Sequence, residues 1–85
     1  MTISDDCKFV YAVNETEHGN VTALSLDPSG TKLQVLEKQS SIGDDPCHIQ
    51  YTKDSLLIAN YSSGTLTSWT YNRQNGTFGL GMAVQ

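Results

Sequence analysis

Residues 46–71 read PCHIQYTKDSLLIANYSSGTLTSWTY, and this stretch decides the fold. It holds three short strand-like runs: 47–51, Leu56–Asn60 and Thr65–Tyr71. Turn residues part them, Lys53 and Asp54 in the first gap and Ser62, Ser63 and Gly64 in the second. Leu56, Leu57, Ile58 and Ala59 are apolar on both sides of the pleat. A strand of that kind is covered on both faces, so the meander is expected to lie between two other layers.

The flanks read the same way. Residues 1–4 look like the tail of a strand, with Asp5, Asp6 and Cys7 as its turn. Residues 8–14 (KFVYAVN) are a buried strand, 15–19 a loop, and Asn20–Leu26 (NVTALSL) the next strand. Asp27-Pro28-Ser29-Gly30 carries the residues a type I turn prefers at its first, second and fourth positions. Residues 33–39, charged and polar on one side, suit an outer strand with an exposed edge, and 40–45 make a linker. After the turn at 72–76, Phe78, Leu80, Met82 and Val84 alternate with Gly79, Gly81 and Ala83, a period of two. No helix is expected.

Shifted by 45 to 46 positions, the chain matches itself: Asn14 falls on Asn60, Gly19 on Gly64, Thr22 on Thr67 and Gly30 on Gly76. The apolar run Val10–Val13 lies over Leu56–Ala59, Leu24 over Trp69 and Leu26 over Tyr71. A period of about 45 residues made of four antiparallel strands is the size of a propeller blade. The fold class is therefore all-β, with residues 1–39 as an incomplete blade, 40–45 as linker and 46–85 as a second blade. A β-sandwich with coincidental spacing is the competing architecture. Two blades cannot close a ring, and several hundred Å² of wet apolar surface on each open face forgoes about 10 kcal/mol, comparable to the stability of a domain. The expectation is a piece of a larger propeller.

Bulk properties narrow the function. Eighty-five residues suit one small domain, which alone hides only about 60–65% of its unfolded surface. A net charge of −4 argues against nucleic acid and anionic membranes as partners. No apolar run approaches the ~20 residues that cross a bilayer. The opening MTISDDCKF does not read as a secretory signal, so a cytoplasmic setting is expected. Cys7 and Cys47 do not make a disulfide framework, and they fall at opposite ends of different blades, so they should not pair; Cys47 is expected to be buried. Asn14, Asn20, Asn60 and Asn75 each head an N-x-S/T triplet, which turn asparagines beside Thr-rich strands also produce.

The chain resembles the seven-bladed lactonase propellers, the propeller-type 6-phosphogluconolactonases and the related enzymes of muconate lactones. SDDCKFVYAVNE (residues 4–15), GNVTALSLDPSGTKL (19–33) and DPCHI with LLIANYSSGTLTSW (45–69) carry the likeness, in the order and spacing usual for the family. Asp45 stands where glycine is usual, and residues 5–7 and 53–54 replace proline-containing turns. The resemblance implies about two blades of a parent that hydrolyses 6-phospho-D-glucono-1,5-lactone in the pentose phosphate route. It equally admits a carboxymuconate cyclase-like activity. A non-catalytic propeller that binds partners on its rim, and a ring of identical copies, are the other readings. Missing blades or identical copies would have to cover the open faces.

Within a blade, the start of the first strand lies beside the end of the second. His48 is thus expected near Asn60, with Asn14 and Glu15 at the matching place in the preceding blade. Lactone hydrolysis needs a base for water and donors for the developing oxyanion. His48 or Glu15 could be the catalytic base, and Asn14 and Asn60 could bind substrate. His48 could equally cap a strand, Asn14 and Asn60 could bond loop backbone, and Glu15 could be a solvated loop charge. His18 has no second ligand at metal spacing, so neither metal nor cofactor is expected. Trp69 and Tyr71 read as core, and no Gly-rich phosphate loop is present. Lys8, Lys53 and Arg73 fall at the far-end turns and Lys32 and Lys38 beside or on an outer strand, so none can clamp a phosphate near His48.

Overall fold

The computed structural model describes residues 1–14 and 18–84. Eight strands form two separate antiparallel sheets, each in sequence order. Sheet A holds β1 (Thr2–Ile3), β2 (Phe9–Asn14), β3 (Asn20–Leu26) and β4 (Leu33–Ser40). Sheet B holds β5 (Pro46–Tyr51), β6 (Leu56–Asn60), β7 (Thr65–Tyr71) and β8 (Phe78–Val84). The two apolar runs that carry the repeat, in β2 and β6, occupy the second strand of different sheets. That excludes the arrangement in which they extend one sheet.

Residues paired directly across antiparallel strands share a face, which fixes what each sheet presents. In sheet A, Tyr11 pairs with Ala23 and Val13 with Val21. In sheet B, Ile49 pairs with Ile58, which pairs in turn with Thr67, while Leu56 pairs with Trp69. These two faces meet. Phe9, Tyr11, Val21, Ala23, Ile49, Leu56 and Ile58 form one buried cluster, with Trp69, Tyr71 and Phe78 packed against it. Polar bonds tie the layers at their margins: the Phe78 N–H donates to Glu37 at 2.7 Å and the Tyr51 N–H to Thr2 Oγ1 at 3.2 Å.

The opposite faces carry apolar residues without cover. Ile3, Leu33 and Val35 are exposed on sheet A, and Leu66, Met82 and Val84 on sheet B. Both uncovered faces were expected from the sequence; among the described residues, Leu56 and Ile58 of β6 are buried, and Leu57 and Ala59 on its other face are half-buried.

Bulges correct two expectations. The register shifts between Pro46 and His48, so Cys47 is the extra residue; it is exposed, where a buried side chain was expected. A second shift, opposite Trp69–Tyr71, breaks the alternation of β8. Phe78 consequently turns into the inter-sheet core against Trp69, 5.6 Å between ring centroids, away from the exposed Leu80, Met82 and Val84. Cys7 and Cys47 are both free.

Candidate functional rim

One end of the molecule gathers the end of β2, the start of β5, the end of β6, the start of β7 and the crossing segment 41–45. That segment is built into the structure. Ser41 is fully buried; its N–H donates to the Gly19 carbonyl at 2.9 Å and its hydroxyl to the Gly43 carbonyl at 2.9 Å. Asp44 N–H donates to Ser63 Oγ at 3.1 Å, and Tyr61 N–H to the Asp45 carbonyl at 3.0 Å. Ser62 donates its hydroxyl to the Asp45 carboxylate. Ile42 and Asp45 hold φ of 56° and 52°, the left-handed region. Asp tolerates that region better than most residues. The β-branched Ile42 is strained there.

Asn60 is the centre of this lock. It is only 2% exposed, and its Nδ2 donates to Thr67 Oγ1 at 2.8 Å, Thr65 Oγ1 at 3.1 Å and the Ser41 carbonyl at 3.4 Å. The Thr67 hydroxyl donates in turn to the same Ser41 carbonyl. A Cβ on Gly43 would come within 2.5 Å of Asn60 Cγ, so only glycine lets the segment pass this close. Asn60 therefore bonds loop backbone and strand hydroxyls, and its amide donors are spent. Its Oδ1 is buried without a partner among the described residues.

The other expected site residues lie apart from it. His48 pairs with Ala59 across β5 and β6, and Asn60 pairs with Pro46. His48 is thus on the open face of sheet B, Asn60 on the face against sheet A. Asn14 is exposed at the end of β2 and paired with Asn20, on the side of sheet A that faces away from sheet B. The expected cluster of imidazole and two amides is not assembled on one surface. Glu15 lies outside the described residues. His18 Nδ1 sits 3.6 Å from Asp44 Oδ1, an exposed contact. No group of three metal-ligating side chains occurs among the described residues. Of the cations, Lys8, Lys32, Lys53 and Arg73 lie at the far-end turns and Lys38 pairs with Thr22 on the outer strand β4, so the rim beside His48 is without Lys or Arg among the described residues.

Sequence reasoning missed the roles of Ser41, Gly43, Thr65 and Thr67. The pairing of Thr65 and Thr67 on one face of β7, opposite Asn60, was the available signal.

Residues 1–84 match the profile of the lactonase family of seven-bladed β-propellers. The chain belongs to that family. Among curated relatives, an uncharacterised protein of Lactococcus lactis, YwcC, is 30% identical over 92% of this chain and 23% of its own length. A 6-phosphogluconolactonase of Formosa agariphila is 28% identical over 79% of this chain and 20% of its own. In the crystal structure of a protein assigned as a 6-phosphogluconolactonase from Bacteroides fragilis, the matching part superposes with a TM-score of 0.89 at 31% identity, covering 98% of this chain and 24% of that one. A counterpart from Bacteroides uniformis gives 0.84 at 31% identity, over 92% and 23%. The chain thus spans less than a quarter of the length of these relatives.

Proposed function

We propose that these residues form two blades of a propeller that hydrolyses 6-phospho-D-glucono-1,5-lactone to 6-phosphogluconate, a cytoplasmic step of the pentose phosphate route. The superposition with the Bacteroides fragilis protein, at 31% identity over 98% of the chain, carries the reading. In it, His48 on the innermost strand is the candidate base that takes a proton from water as water attacks the lactone carbonyl. Asn60 is a positioning residue that holds segment 41–45 and thereby the start of β5. Phosphate recognition falls to other blades, because the described rim offers no cation.

The test is lactone turnover by the His48→Gln variant of the protein that carries these blades. Loss of a general base lowers kcat by about 10²–10⁴-fold with KM little changed. Turnover within twofold of the parent removes His48 from the chemistry. One observation favours a second reading, a lactone without phosphate: the absence of Lys and Arg beside His48 among the described residues. A preference for gluconolactone over its 6-phosphate ester would decide for it.

A further inference from the structure

At the end opposite the rim lies a cleft of about 290 Å³ lined from both sheets. Tyr11, Tyr51 and Tyr71 form its wall, and Asp5, Asp6 and Arg73 supply its charges. We propose that this cleft binds a neutral polyhydroxylated ligand the size of a monosaccharide.

The wall is fixed before any ligand arrives. Tyr51 and Tyr71 lie 4.9 Å apart between centroids, and Tyr11 stands 6.4 and 6.0 Å from them. Each hydroxyl is already committed: Tyr11 donates to the Gly76 carbonyl at 3.0 Å, Tyr51 to Asp5 Oδ1 at 2.9 Å, and Tyr71 to the carbonyls of Thr52 and Lys53. Tyr51 and Tyr71, backed by the fully buried Tyr11, thus offer rigid carbon surface, suited to the C–H face of a sugar.

The charged groups keep capacity in reserve. Asp6 Oδ1 accepts from Ser4 Oγ at 2.6 Å and from the Lys8 N–H at 3.0 Å. Oδ2 of Asp5 and of Asp6 has no partner among the described residues. Arg73 uses one nitrogen, Nη2, on the Lys53 carbonyl. The remaining guanidinium donors are likewise without a partner among the described residues. A ligand here meets both charged acceptors and charged donors, and a hydroxyl is the group that serves both at once. A phosphate or carboxylate would face two aspartates against one arginine. The cleft therefore differs in charge preference from a site for a phosphorylated lactone, and the proposal stands whether or not the rim is a lactonase site.

Titration with D-glucose, followed by amide shifts in a ¹H–¹⁵N spectrum of the protein, tests this. Saturable shifts confined to residues 4–9, 51–53 and 71–73, with a Kd in the range of about 1–10 mM, are expected. Arg73→Ala and Asp5→Ala should each weaken binding by about tenfold, the worth of a charge-assisted hydrogen bond. Unchanged dispersion elsewhere in the spectrum shows that both variants fold. Glucose 6-phosphate should bind more weakly than glucose. Linear, unsaturated shifts, shifts centred on the rim, or tighter binding of glucose 6-phosphate at the cleft would each overturn the proposal.

Discussion

Replacing Tyr11 by Phe removes one oxygen from the middle of the inter-sheet core. Tyr11 has no exposed surface, and its hydroxyl donates to the carbonyl of the buried Gly76 at 3.0 Å. The variant keeps the ring and its neighbours but leaves that carbonyl short of a donor, at a cost of about 1–2 kcal/mol. With a urea slope of about 1–3 kcal/mol per M, the unfolding midpoint at neutral pH should fall by about 0.3–2 M. A second signature lies at alkaline pH. Burial, with smaller contributions from Tyr71 and Asp6, pushes the Tyr11 phenol up to about 12. In the unfolded chain a tyrosine titrates near about 10. Between these values the unfolded state has given up a proton that the folded state still holds, so stability is full below the lower value and falls as pH rises toward the upper one. Burial also raises the Tyr51 phenol, as does its hydrogen bond to Asp5, and it contributes to the same limb. Tyr11→Phe should therefore make the alkaline limb shallower without abolishing it. Urea melts at pH 7 and at steps between about pH 9 and 12 read both effects. An unchanged midpoint together with an unchanged limb would refute the role assigned to this hydroxyl.

Three further outcomes follow from the same geometry. Gly43→Ala drives a methyl to within 2.5 Å of Asn60 Cγ and should cost about 1–3 kcal/mol by thermal or urea melting; a midpoint equal to the parent's would show that the crossing segment is not locked. Gly76 combines φ of 78° with a would-be Cβ 2.4 Å from Phe9, so Gly76→Ala should cost more than Gly43→Ala, about 2–4 kcal/mol by the same melts. The Ser4 hydroxyl, followed by the Lys8 N–H, holds the Asp6 carboxyl below its usual range, a contribution present above the unfolded value and lost as pH falls through the folded one. In Ser4→Ala, NMR titration should find Asp6 ionising at higher pH, and an unmoved curve would sink that assignment.

Most of the strand order was legible because period-two patterning and turn residues speak locally. Leu56–Asn60 and Thr65–Tyr71 stand where the sequence placed them, and β2 starts one residue later, at Phe9. Direction was harder, because a bulge changes which face a residue joins without altering composition. Cys47 looked like a small core residue and is turned out; Phe78 looked like one of four residues on a single face and is turned in. The candidate site failed for a simpler reason. His48 pairs with Ala59, and Ala59 and Asn60 are consecutive in β6, so strand alternation alone sends the His48 and Asn60 side chains to opposite sides of the sheet.

The repeat, taken with the faces, leads further than either alone. Ile3, Val10 and Leu24 lie at repeat positions equivalent to Ile49, Leu56 and Trp69. The second set packs sheet B onto sheet A. The first set shares one face of sheet A through the pairs Ile3–Val10 and Val10–Leu24, and that face is turned away from sheet B. Each sheet therefore offers the same sequence positions to the same side, and the contact between them is directional, front to back. A directional contact between equivalent units repeats with a constant rotation, and a constant rotation closes into a ring or winds into a helix. On the face of sheet A turned away from sheet B, Val10 stands at the position that Leu56 fills in the formed contact. Charged substitution at Ile3, 51% exposed on that face, should consequently leave the sheet A–sheet B contact intact, while charged substitution at the equivalent Ile49, 4% exposed, should abolish it. Folding yields of the two variants, compared side by side, decide whether the contact has that polarity.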